Sequence, residues 1–280
     1  PTTNSIVVGS DTKGKHMSNL IYENTWEEND ELFEKRKVAI VPVGSNEQHG
    51  PALPVGTDWM IAEHLAKAIG KKTDKGFVTP VVPMGYAKYH SDFAGTLAVS
   101  QNTLCNYVLE FCEQLISYGT THILFINGHG GNNNALYDVG QYFRLKNIPV
   151  ANMQWFEVAG SINKDWGLIG HGDIIETSMM LHINPSIVKL DRAHIPENKS
   201  IGNIKLLDLH RGEFEGASIY LNIRTRDVSS SGDLIEYGHS NDVDYTINPK
   251  DAKAEIGAAV CEAVTDYAAR FINEFVTIQF

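Results

Sequence analysis

The chain has 280 residues, 42% of them hydrophobic, and a formal net charge of -11 at pH 7. That length buries a substantial core, and the acidic balance argues against nucleic acid or an anionic membrane surface as partner, since both reward clustered Lys and Arg. No apolar run is long enough to span a bilayer, Pro1 to Lys15 is polar and unlike a secretion signal, and Cys105, Cys112 and Cys261 lack metal-finger spacing. The expectation is one domain over 1–280, cytoplasmic, with its thiols reduced.

Val38 to Val43 (VAIVPV) is an apolar run without alternation, the pattern of a strand buried on both faces. A helix follows over Met60 to Ile69, with Asp58 placed to cap it, and Gly70 marks its end. Phe77 to Met84 reads as the next strand. Leu104, Val108, Phe111 and Leu115 then recur at helical spacing up to the turn at Gly119. His122 to Ile126 is a third strand, Ala135 to Leu145 a helix, and Pro149 to Gln154 a fourth strand. This alternation predicts βαβ units and a mostly parallel sheet. Lys189 to Tyr245 breaks the pattern: short alternating stretches such as Ser218 to Ile223, among polar loops, suit a sheet edge or a contact between subunits. The last helix is expected to open with Asn248 as cap and Pro249 at its first position, and to bury Ile256, Val260, Val264, Tyr267 and Phe271.

Three clusters carry chemistry. The first, Gly44 to Gly50 (GSNEQHG), follows the first strand directly, with Asp58 a short loop later. Ligands of open α/β sheets gather beyond the carboxyl ends of strands, and residues two apart in extended chain face one side, so Glu47 and His49 can converge. An oxygen and nitrogen donor set of this kind suits Zn²⁺, Mn²⁺ or Fe²⁺. Each residue also has an ordinary reading: Asp58 as a helix cap, Glu47 as a loop carboxylate, His49 as a turn residue bonded to backbone. The second cluster, Asn127 to Asn133 (NGHGGNN), again joins strand to helix. Its glycines, Gly130 and Gly131 among them, let backbone approach a bound group, and His129 projects at the same sheet edge. The rival reading is a phosphate cradle, although neither Walker nor dinucleotide spacing is met. The third cluster, Gly170 to Ser178 (GHGDIIETS), leads into an apolar helix. There Asp173 and Glu176 form a capping-box-like pair, while His171 has the pKa range of a proton shuttle. Trp155 and Trp166 precede this cluster and are placed either to wall a pocket or to fill core.

The strings GSNEQHGPALPVGTD, NGHGGNN and HGDIIETS resemble, in order, the three signature blocks of the creatininase (creatinine amidohydrolase) family, in its double-glycine (NGHGGN) form. The likeness runs from about Val38 to Leu181 and includes Phe93 to Leu97, which raises His90 as a substrate contact. It implies a three-layer α/β/α sandwich around a mostly parallel sheet. It also implies two divalent metal ions per chain (Zn, Mn or Fe), with Asp58 bridging, Glu47 and His129 on one ion, and His49 on the other. In creatininase a further carboxylate stands two residues after the histidine of the second block, where this chain has Gly131. Relatives of the double-glycine form use the glutamate of the third block instead, so the ligand role passes to Glu176, which with His171 makes the catalytic pair. His90, Gly130, Gly131, Asn132 and Trp166 are the expected substrate contacts. Family members commonly form homo-oligomers, often hexamers.

The reading is a metal-dependent hydrolase that opens a small cyclic amide with a metal-bridging hydroxide. The alternative bond is carbon–carbon, in a cyclic diketone such as a diketo-inositol, because relatives include such hydrolases as well as deformylases. The rival from another class is a non-catalytic α/β module that holds a nucleotide or flavin at the glycine turn.

Overall fold

A computed structural model describes residues 17–166, 170–197, 199–234 and 248–280. Helix α1 (Trp26–Lys35) opens on a capping box between Thr25 and Glu28 and leads into β1 (Val38–Val43). Then come α2 (Thr57–Lys72), β2 (Gly76–Val78), α3 (Gln101–Ser117), β3 (His122–Asn127), α4 (Asn133–Arg144) and β4 (Val150–Gln154). Helices α5 (Trp155–Ile162) and α6 (Ile174–Ile183) precede a short antiparallel sheet of β5 (Lys205–Asp208), β6 (Arg211–Phe214) and β7 (Ala217–Tyr220). Helices α7 (Thr225–Val228) and α8 (Ala254–Phe275) follow.

The main sheet has the order β2-β1-β3-β4 and all its ladders are parallel. Alternation along its strands divides the core in two. Val38, Ile40, Leu124 and Ile126 face α2, α6 and α8 through Ile61, Leu65, Met179, Val260 and Val264. Ala39, Val41, Val43, Ile123 and Phe125 face α1, α3 and α4 through Leu32, Leu104, Val108, Leu136 and Val139. The result is the three-layer α/β/α sandwich with strands buried on both sides, which explains their unbroken apolar runs. No helix among the described residues is long and apolar enough to cross a membrane.

Three elements differ from their sequence reading. The second strand stops at Val78 rather than Met84: Pro80 and Pro83 cannot donate to a ladder, and only Val82 returns, as an isolated bridge to Val43. Asp58 does not cap α2. Gly56 holds that position and Asp58 lies inside the first turn, so its carboxylate is free for other work. Asn248 caps a separate 3₁₀ turn (Pro249–Asp251), and α8 begins only at Ala254. On α8 the buried stripe is Gly257, Val260, Cys261, Val264, Ala268, Ile272 and Phe275, and Tyr267 is 39% exposed. The segment 189–245 supplies the β5-β6-β7 sheet, in which the stretch from Ser218 contributes to the outer strand β7; residues 235–247 lie outside the described part.

Candidate metal centre

The loop after β1 leads to α2 on one face of the sheet, and the loop after β3 leads to α4 on the other. The two loops therefore part above the β1 and β3 pair, leaving a crevice beyond the carboxyl ends of the strands, where α/β sheets bind ligands. Val43 stands opposite Asn127 in the ladder, so Glu47 and His129 start from adjacent strand ends. Close approach explains two of the glycines. A Cβ on Gly44 would collide with the Trp59 backbone, and one on Gly128 with the Asp58 carbonyl oxygen.

Around the crevice the structure gathers two trios of donors that share Asp58: Glu47, Asp58 and His129, and His49, Asp58 and Glu176. The ligand atoms of each trio lie within 4.8 Å of one another. Asp58 turns one oxygen to each trio. Oδ1 is 2.8 Å from His49 Nε2, and Oδ2 is 3.3 Å from His129 Nδ1. Glu47 Oε1 lies 3.2 Å from His129 Nδ1, and Glu176 Oε2 lies 3.7 Å from His49 Nε2. All five side chains are buried.

This arrangement fits divalent cations. His49 Nδ1 lies 3.0 Å from the Glu47 carbonyl and His129 Nε2 lies 2.9 Å from the Tyr86 carbonyl, both of which can only accept. Each imidazole therefore donates away from the crevice and, when neutral, aims a lone pair at the carboxylates, the usual way outer partners orient a metal-binding histidine. Both Glu47 carboxylate oxygens and Asp58 Oδ2 are buried without a hydrogen-bond donor. Without a cation, protons must fill the gap. Burial works against charge on His49, but Asp58 and Glu176 outweigh it and raise its pKa to about 10. His129 is likewise held well above its usual value, with Glu47 and Asp58 overcoming burial. Burial opposes ionisation of Glu47, yet His129 and His90 hold it well below the carboxylate range. Glu176 goes the other way, pushed up to about 8 by burial against the pull of His49.

The other expected residues divide. His171 and His90 line the same cavity of about 250 Å³. His90 Nε2 is 3.3 Å and His171 Nδ1 3.7 Å from Glu47 Oε1. Burial, with His49 and His90 nearby, keeps His171 well below the usual histidine pKa, hence neutral. Asp173 caps α6, accepting from Ile175 and Glu176 N–H at 2.9 Å each; burial raises its pKa to about 6 against these bonds. Glu176 accepts from Gly172 N–H at 2.7 Å while facing His49, so it is at once a turn anchor and a member of the trio. Gly130 and Gly131 line the cavity. A Cβ at Gly131 would collide with the Tyr86 carbonyl and the His129 ring, and would come within 2.5 Å of Tyr89 Oη, so no carboxylate side chain fits there. Asn132 and Trp166 do not line the cavity. Asn132 is fully buried as a clamp: its Nδ2 donates to Gly44 O at 3.0 Å and Asn127 Oδ1 at 3.2 Å, and its Oδ1 accepts from Tyr86 N–H at 3.0 Å. Trp166 packs, partly buried, at the margin of the core cluster.

Sequence reasoning missed Gln48, Tyr89 and Thr225. Gln48 Oε1 accepts from Gly50 N–H at 3.0 Å and its Nε2 donates to Gly232 O at 2.8 Å, which fixes the orientation of its amide. That Nε2 also lies 2.9 Å from His171 Nε2, so the neutral imidazole carries its proton on Nδ1, facing Glu47. Thr225 Oγ1 is 2.6 Å from His90 Nδ1, and Tyr89 Oη is 3.0 Å from His129 Nε2. The only local signal was position: Gln48 lies between Glu47 and His49, and Tyr89 next to His90.

A family model described as creatinine amidohydrolase matches residues 22–272. The mycofactocin precursor peptide peptidase of Mycolicibacterium smegmatis is 35% identical over 159 residues, which cover 55% of this chain and 61% of that protein. The creatinine amidohydrolase of Pseudomonas putida is 27% identical over 205 residues, covering 63% of this chain and 76% of that one. A crystal structure of creatininase superposes with a TM-score of 0.70 at 20% identity, over 92% of this chain and 98% of the other, and so shares the fold.

Proposed function

The chain belongs to the creatininase family, and on that premise we propose that it is a metal-dependent hydrolase of amide C–N bonds, acting on a small cyclic amide. One observation carries the reading: Asp58 turns its two carboxylate oxygens to two different donor trios, as a carboxylate shared by two cations would. Glu47 and His129 would hold one ion, His49 and Glu176 the other. Bound there, divalent ions such as Zn²⁺, Mn²⁺ or Fe²⁺ supply Lewis acidity, acidifying a water and polarising the carbonyl under attack. The protein's own groups do the rest. Gln48 keeps the His171 proton on Nδ1, where it points into the cavity and is placed to reach a leaving nitrogen. His90 Nε2 lies 3.3 Å from Glu47 Oε1, and its Nδ1 lies 2.6 Å from Thr225 Oγ1 and 2.9 Å from Gln48 Nε2. Leu209 and His210 also line the cavity, His210 against the Tyr89 ring, and limit the size of the substrate.

A second reading is supported by the 35% identity with a precursor peptide peptidase: the amide is a peptide bond near a chain end, which enters the same cavity. A carbon–carbon hydrolase of a cyclic diketone is the third outcome that an assay would register. The test is metal content per chain by elemental mass spectrometry in wild type and Asp58→Ala, followed by a panel of cyclic amides, short peptides and cyclic diketones. Close to two ions in wild type, a marked loss in the variant, and release of an amine together with acid support the proposal. Wild type that stays metal-free after reconstitution overturns it, and acid release without amine moves the bond to carbon.

A further inference from the structure

Below the centre, the helices that carry two of its carboxylates meet again. His64 stands six residues after Asp58 on α2, and His182 six residues after Glu176 on α6, about 9 Å further along each axis. Cys261 faces them from α8. One nitrogen of each imidazole and the thiol sulfur lie within 4.8 Å of one another, and the two rings meet edge to face with centroids 5.4 Å apart. None of the three side chains has a hydrogen-bond partner among the described residues. Burial, then His182, Lys71 and Lys67, holds the His64 pKa below its usual value, so the ring is neutral with a lone pair to offer. Nearby ammonium groups are partly offset by acids: Lys67 pairs with Glu63 at 3.0 Å, and Lys72 with Glu262 at 2.9 Å and Asp266 at 2.7 Å.

We propose that His64, His182 and Cys261 form a separate metal site for a thiophilic divalent cation, Zn²⁺ before others, which ties α2, α6 and α8 together. The donor set is what separates it from the crevice: two nitrogens and a sulfur select soft cations, whereas the carboxylate-rich trios also suit harder ones. Three protein donors leave a fourth tetrahedral position to water. The three donors come from three different helices, so the role of the site is to fix helix positions. Because α2 and α6 also carry Asp58 and Glu176, occupancy here sets how far apart those two carboxylates stand.

Co²⁺ distinguishes the two centres, since only this one contains a thiolate. The full chain is stripped with chelator and titrated with Co²⁺ while thiolate-to-cobalt charge-transfer absorption is followed in the near ultraviolet. Wild type should develop the band at the intensity of one thiolate-bound Co²⁺ per chain, Cys261→Ser should lack it, and His182→Gln should form it with affinity weakened at least about tenfold, the loss that even outer partners of a metal produce. His182 is only partly buried, so that variant keeps the test decisive should Cys261→Ser fail to fold. Absence of the band from wild type at saturating Co²⁺, or unchanged affinity in His182→Gln, overturns the proposal.

Discussion

Asn132 separates a clamp from a substrate contact, and Asn132→Ala measures which it is. The side chain joins the end of β1, the end of β3 and the loop that carries Tyr89 and His90, through Gly44 O, Asn127 Oδ1 and Tyr86 N–H. Truncation leaves Asn127 Oδ1 still accepting from His129 N–H at 3.1 Å, but strands Gly44 O and Tyr86 N–H in the interior. Each orphaned buried group costs roughly 1–3 kcal/mol, so the pair amounts to about 4 kcal/mol. At about 2 °C per kcal/mol for a chain of this size, the melting temperature should fall by roughly 8 °C. Thermal unfolding of wild type and variant, read by circular dichroism at matched metal content, gives the number. At temperatures where the variant is folded, KM for whichever substrate the panel identifies should move little. A fall below about 2 °C together with a large rise in KM would refute the clamp and return Asn132 to the substrate.

Metal loading should release protons. At pH 7 the cation-free protein holds them on His49, His129 and Glu176, whose pKa values are raised to about 10, well above the usual value, and to about 8. Cations take their place, so calorimetry in buffers of different ionisation heat should find about two to three protons released per chain, and apparent affinity should climb from pH 6 to 8. Release of less than about one proton contradicts the assignment. Gly131→Ala should displace the His129 ring or Tyr89, costing about 1–3 kcal/mol and lowering metal content. Gly130→Ala is the control, since the nearest atoms to a Cβ there are 4.0 Å away, and equal behaviour of the two variants rejects the packing argument.

Much of the frame can be read from residues because it rests on local signals. β1 and β3 are unbroken apolar runs that end at Gly44 and Gly128, and burial on both faces is what produces such runs. Glu47, His49 and His129 sit in the loops immediately beyond those signals, so motif and sheet edge identify the same places, while Glu176 is marked separately by the Asp173 cap of α6. β2 is shorter than its Val and Phe content suggests because Pro80 and Pro83 lack the N–H groups a ladder needs. α8 starts later than its cap signal because Asn248 and Pro249 form a proper start, but of a 3₁₀ turn. The hydrogen bonds that settle the histidine tautomers were beyond reach for another reason. Gln48 meets Gly232 and His171 across long stretches of chain, and no local pattern encodes such pairs. Asn132 shows the opposite error: a polar residue in a glycine turn looks ready for ligand, yet its bonds are spent on holding the turn.

The ladder that sets Val43 opposite Asn127 acts as the datum from which the whole centre is measured. A slip of one residue between β1 and β3 would turn every side chain of the shifted strand to the opposite face, exchanging Ile123 and Phe125 for Leu124 and Ile126 and carrying His129 away from Glu47. Single insertions or deletions inside either strand are therefore incompatible with the site. The turn at Gly119 and the hairpin at Gly216, where a Cβ meets little or nothing, can change length without disturbing it. Tolerance to length change, mapped by insertion scanning, should fall to its minimum along these two strands and recover within a few residues of either end.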